Sequence, residues 1–316
     1  MGKFLLRRVA NAVFVVLVTT FGALVAVTEW GDPFRMIGPR MQTPEARAML
    51  NETFGLDKPL FVRYLVYVGN LFSGDLGIDF ERRRPVIDLL AEAAPNSLRL
   101  ALVALAIQVV VGVSLGIVAA RLRHSFVDTT ITFAAITITV LPLFVLGVWI
   151  RDAFSGRSIF GWEAFPLIPR SIGIETTWLQ ELILPAITLG VGALAFTVVL
   201  ARGAMIEVLD ADYIRTARAK GLTERRVLFK HAARNAMIPV AELSAVQLGA
   251  LMGGTILVEA IFQYNGLGYL FVRSMNENNH PVMLAVTVYS VALFVIVLML
   301  ADILTAWLDP RIRTFD

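Results

Sequence analysis

The 316-residue sequence contains no cysteine, which excludes disulfide bonds, thiol chemistry and any cysteine-based metal site. It has only three histidines, His124, His231 and His280, and these stand far apart in different predicted loops. A three-histidine site is therefore not expected, and we predict no metal site on this chain.

The sequence also lacks the pattern G-x-x-x-x-G-K-[ST], whose backbone amides and lysine hold nucleotide phosphates. Its four lysines are Lys3, Lys58, Lys220 and Lys230, and none occupies that pattern. The zinc-protease pattern H-E-x-x-H is absent as well. We therefore do not expect this chain to be an enzyme, and if ATP drives it, a partner subunit must bind the nucleotide.

Hydrophobic residues, in contrast, make up 57% of the chain, and the mean hydropathy is +0.71. Crossing a bilayer takes roughly 20 consecutive apolar residues in a helix. Six stretches qualify: residues 9–28, 101–120, 129–150, 182–200, 237–261 and 282–300. The first is too long for a signal peptide and no small-residue cleavage site follows it, so we expect it to be retained. The sequence predicts an all-α integral membrane protein with six transmembrane helices.

The basic residues predict the orientation of these helices. If both termini are cytoplasmic, the inner segments hold 15 lysines and arginines and the two shorter outer loops hold four. Short cytoplasmic loops carry such an excess of positive charge. The net charge of +3 thus reflects topology, and no nucleic-acid partner is expected.

Four regions follow along the chain. Residues 1–28 form a tail and the first transmembrane helix, residues 29–95 an extracytoplasmic helical segment, residues 96–308 the five-helix core domain, and residues 309–316 a cytoplasmic tail. Within the outer segment, Thr43 and Pro44 suit a helix start. Two interpretations of this segment stay open, a cap that stabilises the bundle and a contact for a delivery protein.

Two further helices are predicted in the outer segment. An apolar stripe of helical period comprises Leu60, Phe61, Tyr64, Leu65, Val68, Leu71 and Phe72. After a turn at residues 73–77, a short helix is expected to begin at Pro85 and end at Pro95. The pattern predicts a set of helices lying across the outer mouth of the bundle.

The most ordered of the predicted loops is cytoplasmic, at residues 202–236. From residue 212 to residue 239 the chain reads "DYIRTARAKGLTERRVLFKHAARNAMIP". Seven basic residues occupy these 28 positions. The pattern of the segment predicts two short helices that are separated at Gly221. Asp212 is expected to cap the first helix and Thr223 the second. Gly221 suits the left-handed residue that ends a helix.

One face of the first short helix is predicted to be small and smooth. Tyr213, Ala217 and Gly221 follow at i, i+4 and i+8, flanked by basic residues. Such a face permits close approach by a second protein, whereas the basic residues alone would equally suit anionic lipid headgroups. The small face and the central glycine favour protein docking.

The loop resembles the cytoplasmic coupling loop of ABC importer permeases, most closely the dipeptide/oligopeptide branch with its "DY-RTARAKGL-E--V---HA-RNA-IP" string. Further matching strings are "GDP" at 31–33, "FGLDKPL" at 54–60, "RPV-DLL" at 84–90, "LPA-TL" at 184–189, "LVE-IF---GLG" at 257–268 and "LDPRIR" at 308–313. Their order and spacing cover nearly the whole chain. The sequence departs from the usual pattern at Arg215-Thr216-Ala217, where the superfamily has Glu-Ala-Ala, in "VTEWGDP", and at His280.

The resemblance implies the type I permease fold and a role in importing dipeptides or oligopeptides across the bacterial cytoplasmic membrane. It implies as partners a second similar permease, two ATP-binding subunits or one two-domain ATPase, and an extracytoplasmic substrate-binding protein, with ATP and Mg²⁺ bound by the ATPase subunits. The residues expected to couple to the ATPase are Asp212, Tyr213, Arg215, Thr216, Ala217, Arg218, Ala219, Lys220, Gly221 and Leu222.

Two alternatives stay open. The same importer class also carries nickel, glutathione, sugars or haem. An ion-coupled secondary transporter is the competing class, but such carriers keep ionisable groups deep in the membrane. Here Glu242 and Glu259 lie toward opposite ends of the fifth span and Asp302 near the end of the sixth, so no relay is evident. Gln108 is expected to form a hydrogen bond between helices.

Overall fold

The computed structural model describes residues 2–26, 58–79, 81–154, 158–159, 162–163 and 177–308, with side chains omitted at 2–7, 158–159, 162–163, 302 and 304–308. Its helices are α1 (Gly2–Val25), α2 (Leu60–Ser73), α3 (Val86–Arg121), α4 (Phe126–Val140), α5 (Leu143–Phe154), α6 (Trp178–Gly192), α7 (Leu194–Leu209), α8 (Asp212–Ala219), α9 (Glu224–Phe262), α10 (Leu267–Asn276) and α11 (His280–Leu308). Two two-residue strands, Ser158–Ile159 and Trp162–Glu163, pair antiparallel.

Four of these helices are long and apolar enough to cross a membrane: Arg8–Val25, Val86–Arg121, Glu224–Phe262 and His280–Ala301. Two bent pairs, α4 with α5 and α6 with α7, bring the count to six if each pair is one span. The six apolar stretches predicted from the sequence fall on these elements. The described part of the chain is therefore the expected helical membrane protein, with four continuous candidate spans and two bent helix pairs.

The first break, of 102°, separates α4 from α5 and corrects the prediction of one continuous helix over 129–150. Leu141 is extended, with φ −64° and ψ 133°, because the ring of Pro142 disfavours a helical residue before it. The second break, of 53°, falls between α6 and α7 at Ala193, within the stretch predicted as 182–200. Hydropathy alone does not register such breaks.

The short helix expected between Pro85 and Pro95 is in fact the first part of α3, which continues through Pro95 to Arg121. A proline removes one backbone hydrogen bond from a helix interior and is unfavourable there. Burial overrides this cost: Leu90 and Ala93 pack in an apolar core that also contains Val282 and Val286. Tertiary packing, which local propensity does not contain, thus extends the helix.

The predicted apolar stripe of α2 is only partly covered by the rest of its unit. Phe61, Leu65 and Phe72 are exposed, whereas Tyr67 is the buried residue of the helix. Tyr64 donates a hydrogen bond to the carbonyl of Leu17, and its ring packs edge-on against Phe21 of α1. The expected helix start at Thr43 and Pro44 lies outside the described residues.

Contacts divide the chain into two units, residues 1–97 with 265–299 and residues 98–264 with 300–314. In the first, α1, α2 and the N-terminal part of α3 pack with α10 and α11 around two apolar clusters. In the second, α4 and α9 pack on α7, and α5 packs on α6. The four regions predicted from the sequence stay predictions.

Gln108 makes the expected hydrogen bond between helices of the second unit. Its side chain is fully buried on α3, and its amide nitrogen donates to the carbonyl of Ala193 and to Thr197 Oγ1 of α7, at 3.1 and 3.0 Å. A buried amide that meets two acceptors is stabilising, and one without them would cost about 1–3 kcal/mol. The side chain of Asp302 is not among those that the structure describes.

Candidate functional site

The short helix α8 lies in the second unit, between α7 and α9, and begins at Asp212. Ala211, extended at φ −70° and ψ 147°, holds the N-cap position without a side-chain hydrogen bond. The prediction that Asp212 is the cap is therefore wrong by one residue. Asp212 instead lies in the first turn, where a carboxylate complements the positive end of the helix dipole.

The inner side of α8 is formed by Ile214 and Ala217, which are buried three residues apart. Both belong to an apolar cluster with Met205 of α7 and with Val227 and Ala232 of α9. The face predicted to be small, smooth and outward is therefore not exposed at Ala217, since the helix needs those positions for its own anchorage. The prediction that Tyr213, Ala217 and Gly221 form one exposed face is therefore wrong, because Ala217 is buried whereas Tyr213 and Gly221 are exposed.

The outer side of α8 carries the remaining residues of the predicted site. Tyr213 is exposed, and its hydroxyl accepts a hydrogen bond from Asn235 Nδ2 at 2.9 Å. The other exposed positions are Asp212, Arg215, Thr216, Arg218, Ala219, Lys220 and Gly221, with Leu222 half-buried. This outer face is mixed, with a ring, two small side chains and several cations.

The end of α8 confirms the prediction for Gly221. Its φ of +76° is the left-handed conformation that glycine adopts without a steric penalty. Its amide donates to the carbonyl of Arg218 at 2.9 Å, and the amide of Leu222 donates to the carbonyl of Ala217 at 3.4 Å. These two bonds and the contact of Leu222 with the apolar cluster define a Schellman ending.

The second predicted short helix is the beginning of α9 and continues unbroken to Phe262. Thr223 holds its N-cap position, as predicted, but makes no side-chain capping bond. Residues Val227–Ala232 form a π-helical turn, an arrangement that is rare and often found at functional sites. Arg225, Arg226, Phe229 and Lys230 line an open groove of about 400 Å³ on this part of the helix.

Two ion pairs flank α8 along the chain. Arg123 donates to Asp210 Oδ2 at 2.7 Å just before α8, and Arg218 donates to Glu224 at 2.8 and 3.4 Å across Gly221. The hydrogen bond from Arg123 holds the pKa of Asp210 below its usual value and raises the pKa of Arg123 itself. Both groups therefore stay charged at neutral pH. The two pairs border a cleft of about 300 Å³.

A third pair lies beside these two and is more enclosed. Arg202 of α7 donates through Nε and NH2 to the two carboxylate oxygens of Asp128, at 2.6 and 2.8 Å. Asp128 also accepts from the amide of His124 at 3.1 Å, while its own amide donates to Ser125 Oγ. Sequence reasoning did not predict the Arg123–Asp210 and Arg202–Asp128 pairs, although Arg202 and Asp210 lie within the predicted loop 202–236. The available signal was opposite charges near the ends of neighbouring spans.

The string Gly112–Val113–Ser114–Leu115–Gly116 matches the hydrolase pattern G-x-S-x-G, which needs a sharp strand-to-helix turn. Here the string lies inside α3, and Ser114 Oγ donates to the carbonyl of Val110. A Cβ at residue 112 or 116 would approach Thr197 or Ala201 of α7 to 2.7 Å. These glycines therefore serve close helix packing, and the serine has no nucleophile geometry.

The first unit contains a separate polar cluster centred on Asp79, which is completely buried. Its Oδ2 accepts from Arg82 at 2.6 Å, and its Oδ1 accepts from Asn279 Nδ2 at 2.6 Å and from the amide of Glu81 at 2.9 Å. Arg82 also approaches Glu277 at 3.8 Å. His280, which departs from the usual family residue, is buried at the start of α11.

Comparisons with known proteins place this chain in a family. Residues 112–314 match the family model "Binding-protein-dependent transport system inner membrane component", and residues 1–101 match the model for the N-terminal part of such components. The chain therefore belongs to the family of binding-protein-dependent transport permeases. It is a permease subunit of an ABC importer, as the resemblance implied.

Particular relatives are similar over their full length. The oligopeptide transport system permease protein AppB of Bacillus subtilis is 35% identical over 324 residues, covering 99% of this chain and 100% of the relative. The dipeptide transport system permease protein DppB of Escherichia coli is 35% identical over 337 residues, covering 99% of both.

A solved structure supports the fold. The inward-facing MetNI methionine ABC transporter matches with a TM-score of 0.56 and 20% identity, over 70% of this chain and 96% of that chain. The expected all-helical ABC importer permease fold is therefore confirmed. At this identity the likeness concerns the fold alone.

Proposed function

We propose that this chain imports dipeptides or oligopeptides as one half of a translocation pathway, and that α8 is the helix that receives movement from an ATP-binding subunit. The observation that carries the proposal is the two-sided construction of α8. Ile214 and Ala217 fix it to α7 and α9, while its other side presents Tyr213, Thr216 and Ala219 to solvent. A displacement of the exposed side is thereby passed into two membrane helices.

The assembly we propose contains a second similar permease, two ATP-binding subunits or one two-domain ATPase, and an extracytoplasmic substrate-binding protein. ATP and Mg²⁺ belong to the ATPase subunits. The family description supports the binding protein in this assembly, since it names a binding-protein-dependent system and an inner membrane component. ATP binding would close the ATPase pair, and α8 would convert that closure into a change between inward-facing and outward-facing states.

The proposed substrate follows from the relatives named as oligopeptide and dipeptide permeases. The test is ATP-driven uptake of labelled peptides by proteoliposomes that contain the complete complex with its binding protein. Uptake of nickel, glutathione, a sugar or haem in place of peptides would assign another substrate of the same class. Uptake that needs an ion gradient but no ATP would indicate a secondary transporter instead.

Membrane orientation is tested with single cysteines, which the cysteine-free chain readily permits. We propose a bacterial cytoplasmic membrane location with both termini in the cytoplasm. A cysteine at Thr223 should then react only from the cytoplasmic side, and one at Asn278 only from outside. Reaction of Thr223→Cys from outside would overturn the proposed arrangement.

Docking on an ATPase is distinguished from lipid attachment by adding volume to the exposed side of α8. Because Ala217 is buried in the chain's own core, Ala219 is the suitable position. Overpacking a close contact costs about 1–3 kcal/mol. If α8 docks on an ATPase, Ala219→Trp should therefore release the ATPase or uncouple hydrolysis from transport. If the loop only binds lipid, the same change should be tolerated, because tryptophan favours a membrane interface.

Two variants serve as references. Ala91→Trp, at an exposed helical position of the first unit, should retain both the ATPase and transport. Reversal of Arg225 and Arg226 to glutamate tests the basic groove. If that variant loses ATPase and transport while Ala219→Trp keeps both, α8 is not the coupling helix and the loop is a lipid anchor.

A further inference from the structure

The two ion pairs Arg123–Asp210 and Arg202–Asp128 are reciprocal, and together we call these four residues the latch. Helix α7 and the residue after it contribute Arg202 and Asp210, while the turn after α3 and the start of α4 contribute Arg123 and Asp128. Each side therefore offers one cation and one anion to the other. The nitrogen-to-oxygen distances of 2.6–2.8 Å are those of charge-assisted hydrogen bonds.

The turn that holds two of these groups is itself well defined. His124 has φ +66°, a rare conformation for a residue other than glycine, and its amide donates to Asp128 Oδ2. Asp128 thus receives three hydrogen bonds, two from Arg202 and one from His124. A carboxylate held in this way fixes the start of α4 to the middle of α7.

The latch is connected to α8 through further alternating charges. Asp210 pairs with Arg123 and also lies close enough to Arg218 for that guanidinium to lower its pKa. Arg218 in turn pairs with Glu224 at the start of α9. The sequence of charges is therefore Arg123, Asp210, Arg218, Glu224, and it follows the border of the 300 Å³ cleft.

We propose that Arg123, Asp128, Arg202 and Asp210 are positioning residues that make the turn after α3 move together with α8. The proposal rests on the proposed coupling role of α8. Chain connectivity alone passes movement of α8 only to α7 and α9. The latch adds the bent pair α4–α5, which begins at Asp128, and gives a second, polar link to α3, whose Ala120 already lies in the apolar cluster of α8. Loss of the latch should therefore impair coupling without removing the surface that docks.

The test uses charge exchange at the exposed pair, in the complete complex and in the full-length chain. Arg123→Asp and Asp210→Arg each place like charges together, and the double variant restores an opposite pair. The control is Arg84–Glu92 of the first unit, whose side chains are 44% and 54% exposed, the same fractions as Arg123 and Asp210. The control variants are Arg84→Glu, Glu92→Arg and their double variant, which exchange the charges of this pair in the same way.

Two readouts are needed. The first is the number of substrate molecules imported per ATP hydrolysed in proteoliposomes, measured on complexes that retain their ATPase. We expect the single latch variants to lower this ratio about two- to fivefold and the double variant to restore it, which is the range an exposed pair supports. The control variants should leave the ratio unchanged. A wild-type ratio in both single latch variants, or failure of the double variant to recover, overturns the proposal.

The second readout is hydrogen exchange at the backbone amides of residues 122–128 in the purified chain, which needs no ATPase. Faster exchange in the single variants and recovery in the double variant show that the latch holds the turn. Unchanged exchange overturns the latch. Changed exchange with an unchanged transport ratio also overturns the positioning role and leaves a structural contact. If the wild-type complex shows no ATP-driven uptake, the proposed function is wrong. The hydrogen-exchange data still test, independently of transport, whether the latch holds the turn at residues 122–128.

Discussion

The polar cluster around Asp79 and the ion pairs around α8 use the same chemistry at very different exposures. Asp79 is completely buried and accepts hydrogen bonds from a guanidinium, an amide side chain and a backbone amide. Asp210 has a side chain that is 54% exposed and accepts from one guanidinium. A buried carboxylate must keep all its partners, whereas an exposed one exchanges a partner for water at little cost.

This difference indicates different roles for the two regions. The Asp79 cluster fixes Asp79 and Arg82 to the segment before α11 within the first unit, and any movement there would leave the Asp79 carboxylate buried and unpaired. The pairs around α8 can open and reform, as a moving element requires. Asp128, with a side chain that is 7% exposed, lies between these extremes.

The largest effect is expected at Asp79. Asp79→Asn keeps the shape of the side chain but removes the charge opposite Arg82 and places an amide near donors. Breaking a buried pair by removing one partner costs about 3 kcal/mol, which corresponds to a fall of roughly 6–12 °C in the midpoint of thermal unfolding in detergent. A shift no larger than that of an exposed pair would contradict the comparison.

The elements that the sequence predicted are those decided by local chemistry. The apolar stretches located the membrane helices, since 20 apolar residues have few alternatives to a span. Gly221 was located because its neighbours are helix formers and only glycine takes a positive φ without strain. The N-cap position of Thr223 followed from the same local signals.

The features that the sequence did not predict depend on packing. Helix α3 continues through Pro95 because Leu90 and Ala93 are buried in the core of the first unit. Ala217 faces inward because α7 and α9 supply Met205 and Val227 to cover it. The Asp128–Arg202 pair joins residues 74 positions apart, and no spacing rule relates them.

A second substitution tests the intermediate case. Asp128→Asn removes the charge that Arg202 meets through two hydrogen bonds, while Arg202 is 28% exposed and can recover some hydration. We expect a loss of about 2 kcal/mol, or roughly 4–8 °C in the unfolding midpoint. The matched change Asp152→Asn removes the partner of Arg151 at an exposed site and should leave the midpoint unchanged. Equal effects of the two variants on the unfolding midpoint would show that burial does not determine how much each ion pair stabilises the fold.

Gly221→Val should lower stability less than Asp128→Asn does, but it should impair transport more. The space around Gly221 is open, so the cost comes from the positive φ alone and amounts to about 1 kcal/mol or more. The protein should remain in the membrane with a midpoint lowered by roughly 2–4 °C, but lose transport and copurifying ATPase because α8 is misdirected. Gly203→Val, at an open position of α7 without a positive φ, is the control. Normal transport by Gly221→Val would show that the ending of α8 is dispensable.

The smallest effect on stability is expected at Asp210, and its pH dependence is what identifies it. The hydrogen bond from Arg123 lowers the pKa of Asp210 below its usual 3.8, so the stabilisation is fully present above that value. It is lost only as the pH falls through the lower pKa of the folded state. The small difference in unfolding midpoint between the wild type and Asp210→Asn should therefore be constant from pH 8 to pH 5 and should shrink only as the pH falls below about 4. A difference that changes between pH 5 and pH 8 would show that another group controls the exposed pair, and the contrast with Asp79 would no longer rest on exposure alone.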